Sequence, residues 1–271
     1  MFDYSPYLRQ NRLPHIWCAG CGNGIVTKAL IRAIHKLEIP KDDIVMVSGI
    51  GCSSRAPGYL DFNTLHTTHG RALAFSTGVK AFNPDLHLII VSGDGDSVAI
   101  GGNHFIHACR RNIDMTIVVF NNEIYGMTGG QNSPTTPDGA RSTSMPYGNI
   151  DKPFDIIKLA MGAGATFVAR TTVSHPVQME NYIKKGLANK GFSVIEVAAD
   201  CPTAYGRRNK LRTPVAQLLD YKERAVKIGK AEKMTQDELD GKIVTGIFRN
   251  ESRPEFTECY SELVKKLADK A

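Results

Sequence analysis

Short, β-branched apolar runs recur along this chain with helix-like stretches between them, and that alternation restricts the fold more than any other feature. The runs are Asp43–Ser48, His87–Ser92, Met115–Phe120, Ala165–Ala169 and Phe192–Val197. Each is apolar almost throughout rather than alternating, as strands covered on both faces are. The intervening stretches, Asn23–Leu37, Ala72–Phe82, Ala99–Arg111, Phe154–Met161 and Pro176–Leu187, carry apolar residues at helical spacing. Strand and helix in turn predict an α/β fold, a mostly parallel sheet with helices on both faces. At 271 residues the chain has room for one such domain and an appendage. Residues 1–204 are assigned to the α/β domain. From Tyr205 onward the sequence becomes charged and lysine-rich with no strand signal, so residues 205–271 are expected to form a C-terminal extension ending in an amphipathic helix from Glu255 to Lys270.

Directly after the run His87–Ser92 comes Gly93-Asp94-Gly95-Asp96, and the run Met115–Phe120 ends in Asn121-Asn122. The 25 residues between Gly95 and Asn121 are enough for one βαβ crossover. In an open parallel sheet ligands bind at the carboxyl ends of the strands, so Asp94 and Asn122 should arrive side by side. Two hard oxygen donors beside a diphosphate make a magnesium site, and the helix starting near Ser97 can aim free amides at the phosphates. Read singly, Gly-Asp-Gly is an ordinary turn and Asn-Asn an ordinary strand end. Together, at this spacing, they point to metal and diphosphate. The segment Tyr125–Pro153, rich in Gly, Ser, Thr, Asn and Pro, is a long loop of the kind that is usually functional.

Six cysteines in a chain read as cytoplasmic are metal ligands or buried thiols rather than disulfides. Cys18 and Cys21 form a Cys-X-X-Cys, while Cys52 and Cys201 each follow an expected strand. Thiolates select zinc or an iron–sulfur cluster, and a [4Fe–4S] cluster takes four. A lone Cys-X-X-Cys is shared with zinc ribbons and redox sites. Structural zinc usually clusters its ligands in two nearby pairs, whereas here the third and fourth cysteines lie 31 and 180 positions beyond Cys21. Cys109 and Cys259 read as packing residues, and His104 and His107, three apart on one helix, as structural.

No apolar stretch is long enough to span a bilayer and the N-terminus has no leader pattern, which predicts a cytoplasmic protein. The formal charge of +6, concentrated in the run Arg207–Arg212, suits an acidic partner. Nucleic acid is disfavoured because the basic residues are not interleaved with aromatics.

The pairing of Gly93-Asp94-Gly95 with Asn121-Asn122 resembles the thiamine-diphosphate motif. The segments Trp17-Cys18-Ala19-Gly20-Cys21-Gly22, Gly49-Ile50-Gly51-Cys52-Ser53 and Asp200-Cys201-Pro202 resemble the cluster-binding pattern of 2-oxoacid:ferredoxin oxidoreductase β subunits. The resemblance runs from about Pro14 to Leu211 and is closest to the 2-oxoglutarate type. It implies a thiamine-diphosphate-binding fold of the diphosphate type, with Mg2+ on Asp94, Asn122 and the Ile124 carbonyl, and a [4Fe–4S] cluster on Cys18, Cys21, Cys52 and Cys201. It further implies cofactor contacts from Gly51, Cys52, Ser53, Ser54, His69, Gly70, Gly93, Asp94, Gly95, Asp96, Asn122, Tyr125, Gly126, Met127 and Thr128. Arg55 and His69 fall where the family works on the substrate.

The implied reaction is oxidative decarboxylation of 2-oxoglutarate with coenzyme A to succinyl-CoA and carbon dioxide, the electrons passing to ferredoxin, with carboxylation as the reverse. Pyruvate or a branched-chain 2-oxoacid is the alternative substrate, and a non-catalytic electron-transfer subunit the alternative of another class. Only one sheet-sized unit is visible. An α subunit should therefore supply the aminopyrimidine-binding domain and its activating glutamate, in an αβ or (αβ)2 assembly.

Overall fold

All five apolar runs become strands of one sheet in the computed structural model, which describes residues 2–269. In chain order the strands are β1 Ile44–Ser48, β2 Asn63–His66, β3 His87–Gly93, β4 Met115–Asn121, β5 Ile124–Tyr125, β6 Gln131–Asn132, β7 Phe167–Thr172, β8 Phe192–Ala198, β9 Ala225–Lys227 and β10 Ile243–Asn250. Eight pair in the order β2-β1-β3-β4-β8-β7-β10-β9, while β5 and β6 form a separate antiparallel pair. From β2 to β7 the ladder is parallel throughout, and β10 joins it antiparallel to β7. The carboxyl ends of β1, β3, β4 and β8 therefore lie along one edge.

The continuous apolar character of the strands has a direct structural cause. Ile89, Val91, Val118 and Ile195 pack on one face under the helices Asn23–Lys36 and Pro176–Ala188. Ile90, Ile117, Val119 and Val194 pack on the other under Ala72–Phe82, Gly102–Arg111 and Ile156–Ala163. Each such side chain contributes about 1.5–3 kcal/mol when fully buried. A charge placed at any of them would break the platform that carries the site.

Helix starts shift where local hydrogen bonds dictate. Asp155 caps the amides of Ile157 and Lys158, so that helix begins at Ile156 rather than Phe154. The helix expected from Ala99 begins at Gly102, because Asp96–Ile100 winds as a wide π turn and Ser97 donates to the Gly93 carbonyl at 2.7 Å.

The expectation of a strand-free C-terminal segment is overturned. β9 and β10 lie within it, and β10 extends the main sheet beyond β7. Its sequence hides this because the strand is only partly buried, carries Gly246 at φ +154° and shifts register between Ile247 and Arg249. The final helix is Phe256–Ala268, capped by Glu255; Lys270, where it was expected to end, lies outside the described residues. Among the described residues no helix is long and apolar enough to cross a membrane.

Candidate active site

β3 and β4 run in parallel register up to Gly93 and Phe120, so the residues that follow them, Asp94 and Asn122, open into the same cleft. Gly51, Cys52 and Ser53 after β1 line it too, with His69, Gly93, Gly95, Asp96 and Ile124 through Thr128. Gly95 has to be glycine: a Cβ there would overlap the Tyr125 ring, whose hydroxyl donates to the Gly95 carbonyl at 3.3 Å. Asn122 Oδ1 accepts the Ile124 amide at 3.4 Å. Between them Glu123 takes φ +61°, a left-handed conformation that turns the chain so that Asn122 and Ile124 both line the cleft. Burial pushes the Glu123 carboxyl up to about 7, with Arg224 opposing and Asp94 adding to the rise.

Asp94 is buried, and that burial raises its pKa against hydrogen bonds from Ser133 and Thr135. Thr135 Oγ1 lies 2.6 Å from Asp94 Oδ2 and 2.9 Å from Asn121 Oδ1. Asn121 Nδ2 donates to Glu196 Oε1 at 2.8 Å, and Glu196 in turn accepts from Arg170 at 2.7 Å. Arg170 also reaches Asp155 at 2.6 Å. A hydrogen-bonded chain thus runs from the cleft into the sheet. Motif reasoning missed Ser133 and Thr135; the one signal for them was the composition of the long loop they occupy.

Asp96 has a different task from Asp94. Its Oδ1 accepts from His69 Nδ1 and from the Gly70 amide, both at 2.7 Å, and its Oδ2 accepts from Ser92 at 3.0 Å. The carboxylate thereby fixes the His69-Gly70 turn and leaves His69 Nε2 free at the cleft, with the ring edge-on to Tyr125. Gly70 sits behind the cleft against Ile100 and Gly101, where a side chain would collide.

Cys18, Cys21, Cys52 and Cys201 line one adjoining cavity of about 190 Å³, closed on one side by Trp17 and Pro202. Trp17 Nε1 donates to the Cys52 carbonyl at 2.7 Å, and the Gly22 amide donates to the Asp200 carbonyl at 3.3 Å, tying the Cys-X-X-Cys to the loops after β1 and β8. A Cβ on Gly126 would stand 3.5 Å from Cys201 Sγ and 3.6 Å from Cys52 Sγ, which places this backbone beside both sulfurs. Burial pushes the Cys21 thiol up to about 12 and the Cys52 thiol to about 11, and neighbouring cysteines add to both. Among the described residues no three His, Cys, Asp or Glu side chains close on a single ion. Four thiols lining one cavity are the donor set that a [4Fe–4S] cluster would take. The Asp200 carboxylate, buried beside Cys201 and without a hydrogen-bond partner among the described residues, is raised by burial to about 6.

The cysteine cavity and the cleft are not separate. Cys52, Asn122, Gly126 and Met127 line both.

Ser54 and Arg55 lie on the far side of the Cys52 turn, in a second cleft of about 400 Å³ with Arg9, Arg12, Tyr59 and His66. There an Arg55 nitrogen sits 3.4 Å from His66 Nε2, while its Nε is buried without a partner among the described residues. His104 meets Arg71 and His107 meets Arg110, so neither reaches the cleft. Cys109 is fully buried in the core, as expected. Cys259 is exposed, which corrects its reading as a packing residue: it falls on the solvent face of the last helix.

Residues 49–197, which hold both strand-end motifs, match the thiamine pyrophosphate enzyme C-terminal TPP-binding domain. The 2-oxoglutarate synthase subunit KorB of Methanocaldococcus jannaschii is 55% identical over 96% of this chain and 97% of its own length. The chain belongs to the KorB family of 2-oxoacid:ferredoxin oxidoreductase β subunits. KorB of Archaeoglobus fulgidus is 51% identical over 96% of this chain and 94% of its own. A 2-oxoglutarate:ferredoxin oxidoreductase from Magnetococcus marinus, solved with 2-oxoglutarate, coenzyme A and succinyl-CoA bound, superposes with a TM-score of 0.88. It is 32% identical, with 98% of this chain and 91% of that one covered. The fold expected from the sequence and the family it resembles are both borne out.

Proposed function

We propose that this chain is the diphosphate-binding β subunit of a 2-oxoglutarate:ferredoxin oxidoreductase, converting 2-oxoglutarate and coenzyme A to succinyl-CoA and carbon dioxide. Asp94, Asn122 and the Ile124 carbonyl would hold Mg2+, and Cys18, Cys21, Cys52 and Cys201 a [4Fe–4S] cluster. The observation that carries the reading is the wall common to the cleft and the cysteine cavity, formed by Cys52, Asn122, Gly126 and Met127. A decarboxylase needs the cleft alone. An electron-transfer subunit needs the cysteines alone.

When bound, thiamine diphosphate supplies the electron sink that lets a 2-oxoacid lose carbon dioxide, and the cluster passes the electrons on singly. The protein's part is to place these groups. Gly93 and Gly95 would let backbone approach the diphosphate, and a divalent ion would offset the burial that raises the Asp94 pKa. The latch from Asp96 holds His69 at the cleft with one ring nitrogen free. Tyr125 and Met127 wall the site. Arg55, one turn away, offers a cation to a substrate carboxylate entering from the second cleft. The aminopyrimidine half of the cofactor, its activating glutamate and most of the coenzyme A contacts are assigned to an α subunit, in an αβ or (αβ)2 assembly that works in the cytoplasm.

Anaerobically purified αβ complex should contain one thiamine diphosphate and four iron and four sulfide per β chain, the stoichiometry of one such cluster. It should also favour 2-oxoglutarate over pyruvate in kcat/KM. Thiamine diphosphate without iron would reject the cluster assignment, and a preference for pyruvate would reject the substrate.

A further inference from the structure

The run of cations after Cys201 has no role in the cleft. Arg207, Arg208, Lys210 and Arg212 are exposed, and Arg141 from the long loop is exposed beside them. The two segments are stitched together: the Arg141 amide donates to Asn209 Oδ1 at 2.7 Å, and Asn209 Nδ2 returns a hydrogen bond to the Arg141 carbonyl at 3.0 Å. Elsewhere Lys80, Lys152, Arg170 and Arg224 each meet a carboxylate. Among the described residues none of these five does.

The patch is fixed rather than trailing. Arg208 donates to the Ala204 carbonyl at 2.8 Å, and buried Gln217 donates to the Leu211 carbonyl at 3.0 Å from beneath. A Cβ on Gly206 would overlap Gln217, which shows how closely this backbone is packed. The segment thus leads straight from Cys201 to a set of unpaired positive charges. The neighbouring mouth of the cysteine cavity is uncharged: Ile16 is 64% exposed and Met127 47%, with Cys18 and Thr203 also at the surface.

An uncharged opening beside a one-signed rim is the arrangement by which transient redox partners meet. Charge steers the encounter and sets its on-rate, while the small contact keeps it brief. We infer that Arg141 and the Arg207–Arg212 segment dock a small acidic one-electron carrier, a ferredoxin-type iron–sulfur protein, over the cysteine cavity. Electrons would leave there one at a time, reducing the carrier's cluster as this chain's cluster is reoxidised. This rests on the cluster assigned above. The carrier must be acidic because among the described residues no carboxylate pairs with the five cations, and its cluster must lie near its own surface because electron transfer weakens steeply with distance.

The test is the double variant Arg207→Glu/Arg212→Glu in the intact αβ complex, since neither side chain bonds to anything else among the described residues. An acidic two-cluster ferredoxin serves as acceptor. Its kcat/KM should fall roughly tenfold or more at low ionic strength, and the loss should shrink as salt rises. Cluster reduction by 2-oxoglutarate and coenzyme A in the absence of acceptor, followed by electron paramagnetic resonance, should be unchanged, as should iron and thiamine diphosphate content. Unaltered ferredoxin kinetics overturn the proposal. So does dissociation of the complex, which would give the patch to a subunit interface. A wild-type complex that lacks iron would overturn the cluster and this proposal together, and iron content tells that failure from the others.

Discussion

Thr135→Val removes the hydroxyl that lies between Asp94 and Asn121 and leaves a side chain of nearly the same outline. The hydroxyl is buried, 2.6 Å from Asp94 Oδ2 and 2.9 Å from Asn121 Oδ1, with Ser133 a further 3.2 Å away as a second hydroxyl partner. A hydrogen bond to a charged group contributes about 1.5–3 kcal/mol. Part of that is returned because Ser133 can turn toward the carboxylate. The remainder, about 1–2 kcal/mol, corresponds at about 1.4 kcal/mol per decade to a loss of roughly 5–30-fold in affinity for the metal–diphosphate unit.

The loss should depend on pH with a definite sign. Burial raises the Asp94 pKa and the Thr135 hydrogen bond lowers it, so the variant's carboxyl is raised further. A metal ion needs the ionised form. The deficit should therefore widen as pH falls and narrow as pH rises. Calorimetric titration of the cofactor-free complex with thiamine diphosphate and Mg2+ at several pH values measures both, and kcat at saturating cofactor should stay within a few-fold of wild type. Affinity within twofold of wild type, or a deficit that narrows toward acid, would refute the role given to Thr135.

Cys201→Ala should strip or convert the cluster while thiamine diphosphate remains, whereas Cys109→Ala and Cys259→Ala should keep full iron content; equal iron loss in all three would disprove the ligand set. Arg170→Met leaves Glu196 and Asp155 without their shared cation and should lower stability by about 3–5 kcal/mol, read from urea midpoints, because it uncouples a buried ion pair. The same variant should loosen cofactor binding through Glu196 and Asn121, and a midpoint shift without that change would cut the proposed linkage. Arg55→Met should raise KM for 2-oxoglutarate with cofactor and iron content unchanged; an unaltered KM would remove Arg55 from the substrate's path.

Much of this architecture was legible because it is written in contiguous residues. A strand buried on both faces must be apolar at every position, so β3, β4 and β8 were visible as runs. Gly93-Asp94-Gly95 and Asn121-Asn122 lie directly at strand ends, where the topology brings them together. What stayed hidden depends on contacts across space. Nothing local marks Thr135 as the partner of Asp94, because their separation of 41 positions is closed only by the loop's path. No local signal in the sequence shows that the Asp96 carboxylate also holds His69 and Gly70, which lie 27 and 26 positions before it. β10 was hidden because it is only partly buried, carries Gly246 and Arg249 and shifts register between Ile247 and Arg249, so no continuous apolar run marks it.

The four cysteines hang from elements whose positions the sheet and its helices already decide: one follows β1, one follows β8, and two precede the helix Asn23–Lys36. None of them closes a loop that the core needs in order to form. Small metal-dependent domains fold only as they bind, because their ion is their core. Here the core stands apart from the thiols, so the scaffold would present them as a finished receptacle for the proposed cluster. Loss of a cluster to oxygen would then be an injury confined to the receptacle, and a chain so damaged could be recharged by the cell's iron–sulfur assembly machinery without passing through the unfolded state.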